Sequence, residues 1–477
     1  MDKHIRTIKM TSEVKTMRPE QRIEHDSMGA VEVPANALYG AQTQRALNNF
    51  TIYNEPLPER FIRALLLIKQ AAAEANRDLG LLPMENAAVI MLCIRKLLDE
   101  GLGNHFPVSV YQTGSGTSTN MNVNEVVCAM AREAGIALSP NDHVNMGQSS
   151  NDVIPSALHL SAALQINDEV IPALTYLSDV IRDKATQNSH VIKTGRTHLM
   201  DALPIKLSEE LNGWAAALDE SILRLKEVLN RLCHLPLGGT AVGSGVNCHP
   251  EFSVRALKAL SSATNLMLIK MASPYRGLSF LDTAQEASAH LKTIGCTLMK
   301  ISNDLRLMNS GPGSGLGEVK LPSLQPGSSI MPDKINPVIP EAVCMAAAQV
   351  VGNDTTIALA AQSGNFQLNT MFPLTAARLL QSGSLVEGAA RCLGEKAIKD
   401  MIINEEHLLV PLHKNPILVT VLNPYIGYME AARIAKKARE EQRTILEVAA
   451  EETSIDGELL KRLLDPRHLA DGGAAIS

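Results

Sequence analysis

The 477-residue chain is 45% hydrophobic and 20% charged, with a formal net charge of −6. That length suffices for two to four domain-sized units and a large core, the apolar fraction excludes wholesale disorder, and the mild acidity leaves no basic footprint for nucleic acid. With seven Phe, seven Tyr and one Trp against 19 Met, the chain is too poor in rings for a strand-rich protein and reads as all-α with an aliphatic core.

In chain order, residues 1–20 carry mixed charge and no apolar run, so they read as a flexible extension rather than a secretory signal. FIRALLLIKQAAAEANRDLG and ENAAVIMLCIRKLLDEG over 60–100 are helical patterns that end at glycine. Small-residue stretches at 113–119 and 147–151 frame a short helix, MNVNEVVCAMAREAG. A long helix begins near Ser149 and keeps its spacing through Leu160, Leu164, Ile171, Leu174, Leu177 and Ile181, with a distortion expected at Pro172. A second runs from about Leu203 to Cys233, pairing with the first over roughly 45 Å. A third follows HPEF, and a fourth spans about 284–309. Residues 337–362 are apolar on nearly every side yet interrupted by Gly352, Asn353 and Asp354, which suits burial in protein rather than lipid. One subunit's bundle rarely surrounds a helix fully, so a core shared between subunits is expected. The division is 1–147, an N-terminal domain; 148–405, a central helical bundle; and 406–477, a small helical unit.

The seven cysteines, at 93, 128, 233, 248, 296, 344 and 392, form no CxxC, which predicts reduced thiols and a cytoplasmic protein. No window of 18 residues is apolar without polar breaks, so no membrane span is expected.

Four polar segments interrupt the helices. QTGSGTSTNMN (112–122) offers backbone N–H groups at Gly114 and Gly116 with Ser115, Thr117 and Asn122 beside them, which suits either an anion cradle or a capping turn. NDHVNMGQSSND (141–152) places Ser149, Ser150 and Asn151 at a helix start, as caps or as carboxylate donors. KTGRTHLMDALP (193–204) brings Thr197 and His198 beside Arg196 and Lys193. LQPGSSIMPDKINPVIPE (324–341) is a loop of glycine, serines, Lys334 and Asn336 before a helix whose first turns carry Glu341, and its apolar Ile330, Met331 and Ile335 suit a closing lid. The inventory contains anion donors, one His, one Lys and activatable Ser, with no metal cluster, P-loop or dinucleotide fingerprint. It suits proton abstraction beside a carboxylate, where fixed donors stabilise the doubly charged aci-carboxylate more than the substrate.

GSSIMPDKINP closely resembles the GSSxMPxKxNP signature of the aspartase/fumarase superfamily. RIEHDSMGAVEVPANALYGAQTQRALNNF, QTGSG, NDHVN, QSSND, KTGRTH, LPLGGTAVGSGVN and LNPYIGY resemble its class II fumarases, from about Arg22 onward. The resemblance implies an all-α, three-domain lyase that assembles as a homotetramer, each active site drawn from three subunits. It needs no cofactor and no metal, and it catalyses the reversible anti hydration of fumarate to L-malate, with aspartate ammonia-lyase as the alternative. It implies that Ser328 is the base on carbon, with His198 and its partner Glu341 on the water side. Ser115, Gly116, Thr117, Ser149, Ser150, Asn151, Thr197, Ser329, Lys334, Ile335 and Asn336 would bind the dicarboxylate, and Ser139, Pro140, Asn141 and Asp142 match a second dicarboxylate site. No nucleic acid or membrane partner is implied. The chain departs from the fumarase style at Ser118, Ser139, Asp333, Phe372 and the NPVIPE run, of which Ser118 and NPVIPE look aspartase-like.

Overall fold

The computed structural model describes residues 20–472, so the extension expected at 1–20 lies, but for Glu20, outside the described residues. A hairpin of β1 (Gln21–Asp26) and β2 (Gly29–Pro34) leads into α1 (Ala41–Asn49). The free N–H groups of Gly40, Gln42 and Thr43 at the start of α1 donate to the buried carboxylate of Glu125, at 3.0, 2.8 and 3.1 Å. An anion at a helix N-terminus satisfies those donors and the helix dipole together. It also fixes α4 (Thr117–Glu133), the helix that carries Glu125. Between them lie α2 (Glu59–Asp78) and α3 (Met84–Glu100), each starting after a proline. The helix expected over 121–135 thus starts four residues earlier, directly after the glycine loop.

The long helices form a bundle: α5 (Ser150–Gln165), α6 (Ile171–Gln187), α7 (Leu207–Leu232), α10 (Asp282–Met308), α11 (Val338–Ala361) and α12 (Phe372–Leu393). Here α6 packs on α7, α10 on both α7 and α11, and α12 on α11, α6 and α5. Two shorter helices follow: α8 (Phe252–Thr264) packs on α2, and α9 (Pro274–Ser279) on α5. The distortion expected at Pro172 appears as a π-helical segment, Ile166–Val170, just before it. Proline lacks an N–H and its ring crowds the carbonyl four residues back, and the wider turn accommodates both. The start of the second long helix needs correction. Residues 200–206 are strand, not helix: β3 (Ile192–Thr197) pairs antiparallel with β4 (Met200–Lys206).

One hydrophobic cluster runs from Val33 to Leu408, and a separate one from Leu418 to Leu464 fills the short helices after α13 (Glu405–Lys414). The all-round apolar α11 is packed on one face, where Asn353 and Asp354 are buried, Asp354 accepting from Ser288 and Lys292. On the other face Met345, Val351 and Leu359 are exposed. By length and composition alone α11 could cross a membrane.

Inside the bundle, burial pushes the imidazole of His159 down to about 4, while its contact with the His234 carbonyl at 3.0 Å works the other way. A histidine with a depressed folded value is protonated more readily when unfolded. Its share of stability is present above pH 6.5 and is lost as pH falls through about 4. Replacing His159 by Gln should therefore flatten the fall in Tm over that window, removing a penalty of up to about 3 kcal/mol. An unchanged acid slope in the variant would contradict this assignment.

Candidate active site

Residues of the first two polar segments meet where α4 and α5 begin. Gly114 lies so close to the Thr370 backbone that a Cβ there would sit 1.8 Å from its carbonyl oxygen. Gly116 has φ +75°, which favours glycine, and opens α4. Between them the hydroxyls of Ser115 and Thr117 are 2.8 Å apart. Ser149 is the N-cap of α5: its Oγ accepts from the Asn151 N–H at 3.2 Å, in a capping box with Asp152. Ser150 Oγ accepts from Asn120 Nδ2 at 3.1 Å, and Asn151 Nδ2 donates to the Ala241 carbonyl at 2.8 Å. Asp152, fully buried, also accepts the N–H groups of Gly238 and Thr240 at 2.9 and 2.8 Å, which fixes the glycine-rich turn beside α5. Burial pushes its carboxyl up to about 6, against those backbone donors and Lys69.

The sequence reading missed Asp152, Asn120, Asn145 and Lys69. The available signal was Lys69 within LLLIKQAAAEAN, in register with Leu65, Ala72 and Asn76, all of them buried.

Thr197 and His198 occupy the tip of the β3–β4 hairpin. His198 and Leu199 form its two-residue turn, with φ of 57° and 62°. A left-handed pair there matches the twist of the strands, at a conformational cost to both residues. The hairpin's base is held by a buried ion cluster: Lys193 Nζ donates to Glu318 Oε2 at 2.6 Å and to Glu210 Oε2 at 2.8 Å, and Arg196 pairs with the same Glu318. Asparagine tolerates a left-handed φ, so His198→Asn keeps the turn and removes only the ring. The expected result is a drop in turnover of about 10²-fold at unchanged Tm, checked by paired activity and melting measurements.

The fourth segment folds on itself. Ser328 Oγ accepts the N–H groups of Ile330 and Met331 at 3.2 and 3.0 Å. Lys334 Nζ donates to Asn336 Oδ1 at 2.6 Å, and Asn336 Nδ2 to the Gly327 carbonyl at 2.7 Å. Asp333 has φ +64°, a left-handed conformation that favours glycine. Ser329 is exposed, and Ile335 is 39% exposed. Glu341 lies in the first turn of α11 and, with Lys334, Ile335, Asn336, Arg306 and Lys320, lines a cleft of about 970 Å³. No hydrogen bond joins His198 to Glu341 among the described residues.

Two of these groups lie far apart within one chain. Ser150 belongs with the 238–240 turn and α9, at the Asp282 end of α10. The Lys334 cleft is lined by Asn303, Arg306 and Asn309, at its other end. That helix has 27 residues and is about 40 Å long. At the expected second dicarboxylate site, Ser139 Oγ donates to Asp142 Oδ2 at 2.7 Å and accepts the Asp142 N–H at 3.1 Å, while Pro140 and Asn141 begin a π-helical turn, Pro140–Val144. Phe372 is fully buried, so this departure lies in the core and not at a substrate-facing position. Among the described residues no group of three or more His, Cys, Asp or Glu is placed to hold a metal ion.

Comparison with known proteins shows the family. The family described as Lyase matches residues 29–352, and that described as Fumarase C C-terminus matches 418–471. A class II fumarate hydratase of Pseudomonas aeruginosa is 52% identical over 455 residues, covering 95% of this chain and 99% of its own. The class II fumarate hydratase of Mycobacterium tuberculosis is 46% identical, covering 94% of each chain. The crystal structure of the class II fumarase of Schistosoma mansoni superposes with a TM-score of 0.92 at 36% identity, covering 94% of this chain and 99% of its own. This chain belongs to the class II fumarate hydratase family.

Proposed function

We propose that the chain catalyses the reversible anti hydration of fumarate to L-malate. The observation that carries the mechanism is the pair of backbone N–H groups on Ser328 Oγ. A serine hydroxyl is a very weak acid, and donors aimed at its oxygen favour the alkoxide over the alcohol. In the malate-to-fumarate direction, Ser328 takes the proton from the carbon next to a carboxylate. The electron pair moves into that carboxylate to form the aci-carboxylate. It then returns to form the double bond as the hydroxyl leaves as water, protonated from the side of His198 and Glu341. Lys334 and Asn336 stabilise the added charge, while Ser115, Gly116, Thr117, Ser149, Ser150, Asn151, Thr197, Ser329 and Ile335 hold the substrate. Hydration is the reverse of these steps.

A homotetramer supports this chemistry best. The exposed apolar face of α11 asks for cover, and the Ser150 and Lys334 groups, at opposite ends of the 27-residue α10, would meet across subunits. The units 1–147, 148–405 and 406–477 are kept as the domain division, with the separate cluster at 418–464 in support of the last. All seven cysteines are free, which supports a reducing cytoplasm, where this reaction would serve the tricarboxylic acid cycle without a bound metal or cofactor. The second dicarboxylate site at Ser139–Asp142 would have to open the Ser139–Asp142 hydrogen bonds. Fumarate absorbance followed from L-malate and from L-aspartate tests the reading. Fumarate from malate alone is expected, and fumarate from aspartate alone would overturn it.

A further inference from the structure

Lys69 lies in the floor of the α4–α5 site, wholly enclosed at 0% exposure, where burial pushes its amine down to about 7 and the Asp152 carboxylate works the other way. It lies on α2, in a stretch that otherwise packs leucine, isoleucine and alanine. Its Nζ donates to Asn145 Oδ1 at 2.9 Å. The same oxygen accepts Asn120 Nδ2 at 3.1 Å, and Asn120 Nδ2 also donates to Ser150 Oγ at 3.1 Å. Amide oxygens and nitrogens are interchangeable in shape, so something must fix which way each points. A protonated amine has no lone pair and can only donate. Facing Lys69, and with its Nδ2 donating to the Gln148 carbonyl at 3.2 Å, Asn145 presents its oxygen. Facing that oxygen, Asn120 must present its NH₂ group, and Ser150 is then an acceptor toward Asn120. The serine's own hydrogen is left to point outward as a donor.

We infer that Lys69 is a positioning residue: together with the Gln148 carbonyl it holds, through Asn145 and Asn120, the polarity of a buried hydrogen-bond chain that makes Ser150 a donor toward the substrate carboxylate. This rests on the assignment of Ser150 to the substrate site. A charged group buried this deeply is costly unless it is paired and used. Here it lies beneath a site that binds a dianion, where its field acts in the same direction as the dipole of α5. Replacing Lys69 by a neutral residue of similar length keeps the volume and removes one of the two anchors of that direction. Asn145 is then held by the Gln148 carbonyl alone, at 3.2 Å, which loosens its amide and with it Asn120 and the direction of the Ser150 hydrogen.

The test is a double-mutant cycle on the full-length enzyme, read as kcat and KM for L-malate. Lys69→Met should lower kcat/KM at least about tenfold, mostly through KM, because an anchoring hydrogen bond serves bound substrate and transition state alike. Ser150→Ala should lower it similarly, and adding Lys69→Met to Ser150→Ala should cost less than about twofold more. Purely structural damage would instead multiply independently in the double variant. Should Lys69→Met fail to fold, Asn145→Leu breaks the chain one link on and carries the same expectation. Wild-type kcat/KM in a folded Lys69→Met enzyme, or fully multiplicative losses, would overturn the relay alone. Full activity of Ser150→Ala would overturn both the relay and the assignment of Ser150 to the site.

Discussion

Ser328→Ala is expected to lower malate dehydration by about 10³- to 10⁴-fold while the assembly survives. The hydroxyl is the only part of the lid loop that the substitution removes. The Ile330 and Met331 N–H groups remain but lose the oxygen they stabilise. Lys334 is engaged with Asn336, and Asn336 with Gly327, so neither takes its place. Those same contacts hold the loop without Ser328, so Tm and sedimentation should match wild type. Activity within tenfold of wild type would remove Ser328 as the base.

Glu318→Gln is expected to cost about 3 kcal/mol of stability and to lower turnover as well. Glu318 is 2% exposed and accepts from both Lys193 and Arg196 on β3, so the single carboxylate ties the hairpin to the segment after α10. Neutralising it leaves Lys193 buried with Glu210 alone and frees Arg196. Breaking a buried ion cluster is expensive because the remaining charge keeps its desolvation cost but loses its partner. The tip carries His198 in a left-handed turn, so a loosened base also loosens the ring's placement. Denaturant unfolding with parallel kinetics checks both effects. A loss below about 1 kcal/mol, the range of surface pairs, would show that the cluster is not the anchor.

The all-α fold was legible because its signals are local. Leu, Ile and Ala recur at helical spacing, glycines close α2 and α3, and few rings compete for strand. The hairpin at 192–206 was not legible. Its turn is His–Leu rather than the Asn–Gly pair that advertises such turns, and Leu203 and Pro204 read as the lead-in to a helix. The polar segments stood out because serine, asparagine and glycine are out of place between long apolar helices. What holds them did not stand out. Lys69 and Asn145 lie 76 residues apart, Lys193 and Glu318 lie 125 apart, and no local pattern carries a contact of that separation. The close packing of Gly114 on Thr370 is equally non-local.

The central claim is a fumarate-hydrating site assembled from different copies of the chain, and mixing two inactive variants tests it most directly. Ser328→Ala lacks the base, while Ser150→Asp sets a like charge against the substrate carboxylate, at a helix start that tolerates an acid. Ser150 and the Ser328 segment lie at opposite ends of α10, so in mixed tetramers some sites would draw both groups from intact segments. Equal mixing with subunit exchange should restore about one quarter of wild-type malate turnover, since each intact segment arrives with even odds. Mixed tetramers that stay inactive would contradict a site shared between subunits.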